Sequence, residues 1–540
     1  MKNDDKLFSR LEQLNIIGAS LSKEHDVHRL IEAILVAAKT ITHADGGTLY
    51  LLTADRAALR FEIMRTDSLN IAMGGTAGQP MTFPDLPLVN KYGQPNNTMV
   101  AAYAAIQGKT INIADAYIEE GFDFSGTRAF DEQTGYRSQS FLTVPMVNHE
   151  DELIGVLQLI NAFDPVKREV ISFSAADQSL AESLASQAAI ALTNRQLIDQ
   201  LEKLFESFIN LINLAIDEKS PYTGGHCQRV PELTMMLAEA ADAMATGPLA
   251  KFFMNERDRH ELKIAGLLHD CGKVTTPVHV VDKATKLQTL FDRIHLIDTR
   301  FEVLKRDVEI AALRQQLALR DKKEAAAEMR IQQALTAQLC ALDDDRQFLR
   351  HANIGTESMA QADQQRVRSL GTERQWRNVD GVPTDFLTAD EIENLTIRAG
   401  TLTQAERETI NYHIVATNKM LEQLPWPKHL KRVPEYAGGH HERMDGKGYP
   451  KGLTRDQMSV QARIMGIADI FEALTARDRP YKQGMKLSQA MSILASLKKN
   501  GHIDPDLFDI FVKQGVYQRY AEQFLNPEQI DTVNEAELFM

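Results

Sequence analysis

The sequence predicts a multidomain protein: an α+β domain, a helical coiled-coil linker, and an all-α domain interrupted by a long helical insertion. Three observations lead there. At 540 residues the chain exceeds one ordinary hydrophobic core. Its texture changes near Ser174, from short β-type runs separated by turns to helical spacing. Beyond that junction, positions from Ile190 to Ala215 keep an unbroken 4-3-4-3 spacing.

Composition narrows the classes further. With 44% hydrophobic and 25% charged residues the chain is globular rather than disordered. A net charge of −14 argues against coating DNA or RNA, but leaves room for an anionic substrate if a few cations share one pocket. The three cysteines, Cys227, Cys271 and Cys340, form no CxxC pair and no disulfide framework. The first residues, MKNDDKLFSR, lack the apolar core of a signal peptide, and no run of 18 apolar residues occurs. The expected compartment is the reducing cytoplasm, with no membrane span.

The elements follow in order. Residues 1–19 are expected as an N-terminal helix, continued by apolar positions at helical spacing (Leu14, Ile17, Leu21, then Leu30, Ile34 and Ala37). Residues 20–195 form the α+β domain, with strands expected at Thr48–Leu52, Thr110–Ile113, Ser140–Pro145 and Leu153–Ile160. Ser174 and Asp177 then make a capping signal for a long helix. In the linker, 196–217, the seam reads Ile190, Asn194, Leu197, Leu201, Leu204, Phe208, Leu211 and Ala215. That pattern predicts a parallel homodimer with Asn194 setting the register; the competing reading is a helix lying on its own domain.

The final domain, 218–540, reads almost wholly helical. Its insertion, 288–398, falls in a region where residues 278–354 contain neither Gly nor Pro, and Arg300–Leu319 repeats Leu and Ile at helical spacing. A projecting helical hairpin is expected, followed by an irregular polar stretch at Gly355–Asn378. Docking of a protein partner and a solvated spacer are its two readings.

Five histidines of this domain occupy distinctive contexts: His226, His269, His413, His440 and His441. His269-Asp270 ends the apolar run Ile264, Leu267, Leu268. A carboxylate beside an imidazole at a helix end suits the bridging of two metal ions, and Lys273, one turn on, suits a phosphate oxygen. His440–Pro450, HHERMDGKGYP, joins two imidazoles and two acids to a Gly-rich turn. Asp469 lies in the apolar stretch IADIF, where a lone buried carboxylate is costly without a cation. Cys271 reads as a small packing residue.

These strings resemble the HD-GYP domain, a subfamily of the HD metal-dependent phosphohydrolases. HDCGK resembles its HD-x-G-K element and HHERMDGKGYP its HHE-x-x-D-G-x-G-Y-P element. YTGGHCQRV, IADIFEALTARDRPYK and GTLTQAERETINYHIVATNKML supply the flanking contexts, the last with Thr403/Glu406 as a capping box. The resemblance implies metal ligands His226, His269, Asp270, His413, His440, His441 and Asp469. This mixed N/O set suits two divalent ions, iron or manganese, better than a closed zinc site. It implies catalytic roles for Asp270 and Lys273, substrate contacts from Lys273, Tyr449, Arg479 and Lys482, and hydrolysis of cyclic di-GMP to pGpG or GMP. Two departures stand out: Tyr222 replaces a glutamate that holds a third metal in some members, and the Asp469–Arg479 spacing is one residue longer than usual. The alternatives are a cyclic-dinucleotide receptor with little turnover, or an enzyme for another cyclic dinucleotide such as cyclic GMP-AMP.

Residues 20–195 resemble a GAF domain through INIADAYIEEGFDF, DEQTGYRSQSFLTVPM and ELIGVLQLINAFD. The resemblance implies a regulatory domain with a small-ligand pocket, for example for a cyclic nucleotide. The Asn-Lys…Phe…Asp-Glu signature of cyclic-nucleotide-regulated members reads here Asn161-Ala162…Phe173…Asp177-Gln178, so its Lys–Asp ion pair cannot form.

Overall fold

The structure, a computed structural model, describes all residues except 1, 22, 25, 78, 91, 165, 168, 220–224, 320–324, 357, 477–483 and 540, and gives the backbone alone at 2–9 and 11. The chain divides into two compact units, Met1–Phe205 and Glu206–Met540. Among the described residues no helix is long and apolar enough to cross a membrane. All three cysteines are free.

The first unit runs α1 (Lys2–Leu21), α2 (Val27–Thr42), β1 (Ala44–Leu52), β2 (Ala58–Thr66), β3 (Ile71–Gly74), β4 (Leu86–Pro87), α3 (Val100–Gln107), β5 (Ile111–Ile113), α4 (Ser125–Thr134), β6 (Phe141–Val147), β7 (Leu153–Phe163), β8 (Val170–Ile171) and α5 (Ala175–Lys219). The sheet is antiparallel in the order β3-β2-β1-β7-β6-β5, with β4 added to β2 and β8 to β7. Strand alternation separates its two faces. Leu49 and Leu51 join the core with Ile31 and Leu35 of α2 and Leu184 and Ala188 of α5, whereas Tyr50 packs with Leu59 and Val156 in a separate cluster.

The capping signal forms as expected: Asp177 N donates to Ser174 Oγ at 3.2 Å and Ser174 N to Asp177 Oδ2 at 2.9 Å. Asp177 also finds a cation, although not the lysine of the resemblance. Arg10 of α1 donates to Asp177 Oδ1 at 2.5 Å. Asn161 adopts φ 57, a left-handed conformation that asparagine tolerates, and its Oδ1 accepts from Gln139 N at 2.7 Å and Ser140 N at 3.2 Å.

All eight seam positions of α5, from Ile190 to Ala215, are exposed. The exposure is large: Leu201 64%, Phe208 56% and Leu211 58%. Other faces of the same helix bury Leu192 in the first unit and Ile209 and Ile216 in the second.

The second unit continues with α6 (His226–Asp242), α7 (Glu256–Leu268), α8 (Val278–Val281), α9 (Ile294–Leu319), α10 (Ala325–Ala352), α11 (Gln361–Glu373), β9 (Gln375–Arg377), β10 (Pro383–Asp385), α12 (Ala389–Leu395), α13 (Gln404–Glu422), α14 (Val433–Gly438), α15 (Val460–Thr475), α16 (Leu487–Lys499), α17 (Pro505–Lys513), α18 (Val516–Phe524) and α19 (Glu535–Leu538). The expected insertion hairpin is α9 and α10. It has its own core, in which Ile297 and Phe301 meet Leu349, Val367 and Phe386. Asp298 ties the hairpin together by accepting from Arg346 Nε and Arg350 Nε, each at 2.9 Å. Lys286, buried beside this core, has its pKa lowered to about 8 by burial.

One expectation is corrected here. Gly355–Asn378 is not irregular: Gln361–Glu373 is helical, because Val367 and Leu370 reach the insertion core although the stretch is polar. The second unit is almost wholly helical as expected, with a short antiparallel hairpin of β9 and β10.

Candidate metal centre

Five segments distant in sequence meet in the second unit: the start of α6, the end of α7, α13, the turn after α14, and α15. Helix α7 ends at Leu268 with His269 as its C-cap, and a short 3-10 turn, Cys271–Thr275, follows Asp270. That turn is clamped by α13: Gly272 N donates to Thr417 Oγ1 at 2.9 Å, and Thr417 Oγ1 donates to His269 O at 3.2 Å. A Cβ on Gly272 would stand 2.0 Å from His413 O, so the close approach requires glycine. The capping box of α13 forms as expected between Thr403 and Glu406. Helix α15 carries Asp469 against α6, whose first residue is His226.

Two clusters of donors result, His226–His269–Asp270 and His413–His440–His441, each with its ligand atoms within 4.8 Å of one another. Asp270 faces both. Its Oδ2 lies 3.1 Å from His226 Nε2 and 3.2 Å from His269 Nε2, while its Oδ1 lies 3.3 Å from His413 Nε2. Asp469 Oδ1 is 3.3 Å from His226 Nε2 and 3.8 Å from His269 Nε2. All seven residues named from the sequence therefore converge.

The rings are oriented by their outer nitrogens. His269 Nδ1 donates to Gly266 O at 2.7 Å, His413 Nδ1 to Ile410 O at 2.6 Å, and His440 Nδ1 to Ala437 O at 2.6 Å. A carbonyl only accepts, so Nδ1 carries the proton and the Nε2 end of each ring faces inward. His226 Nδ1 instead donates to Glu472, whose other oxygen accepts from Arg229 Nε at 2.7 Å. Glu472 lies one helical turn after Asp469 and is buried, yet the motif strings did not single it out. The i, i+3 spacing from Asp469 was its available signal.

Burial and neighbouring charges set the electrostatics of the site. Burial, reinforced by His269, lowers the His440 pKa to about 4, and burial with His440 holds His441 well below the usual imidazole range. Burial opposes charge on His226, but Asp270, Asp469 and Glu472 outweigh it and hold the ring well above that range. Imidazole nitrogens face each other at 3.3 Å (His226 and His269) and 3.1 Å (His413 and His441). Asp270 Oδ1 and His440 Nε2 are buried with no hydrogen-bond partner. Inward ring nitrogens, a carboxylate open on both sides and orphaned buried acceptors fit divalent cations.

The remaining acids of HHERMDGKGYP build the loop. Glu442 accepts from Lys451 N at 2.7 Å and Leu453 N at 2.8 Å, and Asp445 accepts from Lys447 N at 3.0 Å. Gly448 is needed because a Cβ there would sit 2.4 Å from Glu442 Cα. The loop stacks Tyr449 on His441, with ring centroids 4.9 Å apart and an interplanar angle of 21°. Lys273 contacts Asp270 Oδ2 and stays charged: burial opposes the charge, while Asp270 and Asp469 raise its pKa. Cys271 is buried and its thiol is pushed up to about 11 by burial, consistent with packing. Tyr222, Arg479 and Lys482 lie outside the described residues.

Comparison with known proteins gives the same domain order. Residues 26–192 match the GAF domain family, and residues 223–347 and 388–507 match HD domain families. A 3'3'-cGAMP-specific phosphodiesterase of Vibrio cholerae is 40% identical over 113 residues, covering 21% of this chain and 23% of the relative. A cyclic di-GMP phosphodiesterase of Pseudomonas aeruginosa is 47% identical over 79 residues, covering 14% and 18%. A cyclic di-GMP phosphodiesterase of Thermotoga maritima is 32% identical over 136 residues, covering 24% and 36%. The chain thus spans little more than a third of these relatives at most. It carries a GAF domain followed by two segments of HD domain.

Proposed function

We propose that the protein is a metal-dependent phosphodiesterase of the HD-GYP type that hydrolyses cyclic di-GMP to pGpG or GMP under the control of its GAF domain. The observation that carries this reading is Asp270, buried with its two oxygens turned toward separate histidine clusters. His226, His269, Asp270 and Asp469 would hold one divalent ion, and Asp270, His413, His440 and His441 a second. Iron and manganese suit this donor set. Bound there, such ions supply a hydroxide near neutral pH and neutralise phosphate charge. The chain's own groups do the rest. Backbone carbonyls and Glu472 keep the ring nitrogens directed inward, and burial keeps His440 and His441 neutral. The Lys273 ammonium, paired with Asp270, would receive a non-bridging phosphate oxygen. Tyr449 offers a ring face for a nucleobase. Arg479 and Lys482 are assigned further phosphate contacts by the resemblance.

Anaerobically purified protein reconstituted with iron or manganese should convert cyclic di-GMP to linear product, and lose that turnover when the metal is chelated. Parallel assays with 3'3'-cGAMP, the substrate in one relative's name, decide the nucleotide. Faster turnover of cGAMP would reassign the substrate, and binding without turnover of either would leave a receptor.

Domain boundaries follow the same reading: helix 1–19, GAF 20–195, linker 196–217 and catalytic domain 218–540 with the insertion at 288–398. The exposed α5 seam is assigned to a second copy of the chain, since its heptad spacing suits a parallel pair. Light scattering should give twice the chain mass, and Leu201→Glu with Leu204→Glu should give a monomer. A wild-type monomer at micromolar concentration would end the dimer assignment. The insertion hairpin, with its separate core, is assigned as a partner-docking arm; deletion should leave metal content unchanged while removing co-purifying partners, and unchanged co-purification would remove that role.

A further inference from the structure

The turn that carries Lys273 is held from two sides. Thr417 of α13 clamps its start through Gly272 N and His269 O. Its end has a different need. In a 3-10 turn each carbonyl accepts from the amide three residues on, so Val274 O should take the amide of residue 277. That residue is Pro277, which has no N–H. Lys219, the last residue of α5, fills the place: its Nζ donates to Val274 O and, at 3.4 Å, to Lys273 O. Lys273 O also accepts from Thr276 N at 3.1 Å, so both of its lone pairs are used. One ammonium thus binds two consecutive carbonyls, the first of them belonging to the residue assigned to the phosphate.

The seat of that helix end is imperfect. Ile209, Asn213 and Ile216 follow at i, i+4 and i+7, so they share one face, and they are 2%, 6% and 3% exposed. An amide at this depth has lost its hydration, yet neither Oδ1 nor Nδ2 of Asn213 has a hydrogen-bond partner. A buried unpaired amide is costly, and solvent would satisfy it again on a helix that had moved off. The penalty therefore falls on the seated position alone. Helix α5 runs Ala175–Lys219 and belongs to both compact units, which divide after Phe205. The element that ends on the Lys273 turn is the one that begins in the first unit.

We infer that Lys219 is a positioning residue through which the end of α5 fixes Lys273 for the substrate phosphate, and that Asn213 keeps this seat weak enough to be given up. The inference rests on the phosphodiesterase reading and gives control by the first unit a place to act. With α5 seated, the Lys273 backbone is fixed at both ends of its turn and its ammonium stays beside Asp270. With α5 withdrawn, Val274 O loses its donor and Lys273 loses one of the two clamps. A phosphate contact is made in ground state and transition state alike, so its loss raises KM more than it lowers kcat.

The test uses the full-length, manganese-loaded protein with cyclic di-GMP. Lys219→Met should raise KM about fivefold at unchanged kcat and metal content, and Lys219→Arg, which keeps a long cationic donor, should restore it. Asn213→Leu should lower KM about threefold and raise the melting temperature. In the Lys219→Met background only the melting gain should remain, a split that a purely structural role does not give. A second readout needs no turnover. Amide hydrogen exchange across Cys271–Thr276 should quicken about fivefold in Lys219→Met and return to the wild-type rate in Lys219→Arg. Unchanged exchange or unchanged KM in Lys219→Met would overturn the inference. So would an Asn213→Leu effect on KM that is absent, or equal in both backgrounds. If wild-type protein turns over no cyclic dinucleotide, the phosphodiesterase reading falls, and the exchange comparison alone decides whether Lys219 holds the turn.

Discussion

Replacing His269 and Asp270 together with alanine should strip the protein of bound metal and reduce phosphodiester hydrolysis by a factor on the order of a thousand or more, about 4 kcal/mol of barrier. The size follows from geometry. His269 supplies one inward nitrogen, but Asp270 faces both histidine clusters, so its loss removes a ligand from each half of the site at once. It also leaves Lys273 and His226 without the carboxylate they share. The milder Asp270→Asn keeps the shape and the fold while removing the charge two cations would need. Elemental analysis of both variants, set beside turnover and thermal melting, is the check. Asp270→Asn protein that kept full metal content and full activity would show that the centre described here is not the reacting one.

Much of this site was legible because its chemistry is written in contiguous strings. His269-Asp270-Cys-Gly-Lys is one helix end, and His440–Pro450 is one loop. In each, the residues of the string lie next to one another in one turn, and α13 clamps the first string through Thr417. The Thr403–Glu406 box was legible for the same reason. What escaped lies partly in the backbone and partly in contacts far along the chain. The carbonyls of Gly266, Ile410 and Ala437 orient three rings, but a backbone acceptor leaves no trace in residue type. The two acids of the HHERMDGKGYP string, Glu442 and Asp445, pin loop amides, a role their residue type does not disclose. In the insertion, polarity concealed the helix Gln361–Glu373, whose stability comes from Val367 and Leu370 meeting residues far along the chain. In the first unit β2 mixes charged and apolar residues, and its register comes from pairing with β1.

Glu472→Gln should weaken metal binding by about ten- to a hundredfold while leaving turnover near normal at saturating metal. Glu472 is a positioning residue. One oxygen accepts from His226 Nδ1 and the other from Arg229 Nε, so two donors rely on one carboxylate. Glutamine is nearly isosteric but offers a single acceptor oxygen, so its amide nitrogen must face one of those donors. If the oxygen stays with Arg229, the amide donates to His226 Nδ1 and the ring proton moves to Nε2. That nitrogen, 3.3 Å from Asp469 and 3.1 Å from Asp270, then cannot offer a lone pair to a cation. Burial makes the conflict costly, since Glu472 is 1% exposed. Chelator competition measures the affinity, and turnover titrated with manganese separates weakened binding from lost chemistry. A purely structural role predicts a lower melting temperature of the metal-free protein with unchanged metal affinity. That pattern would remove Glu472 from the centre and leave His226 oriented by its helix alone.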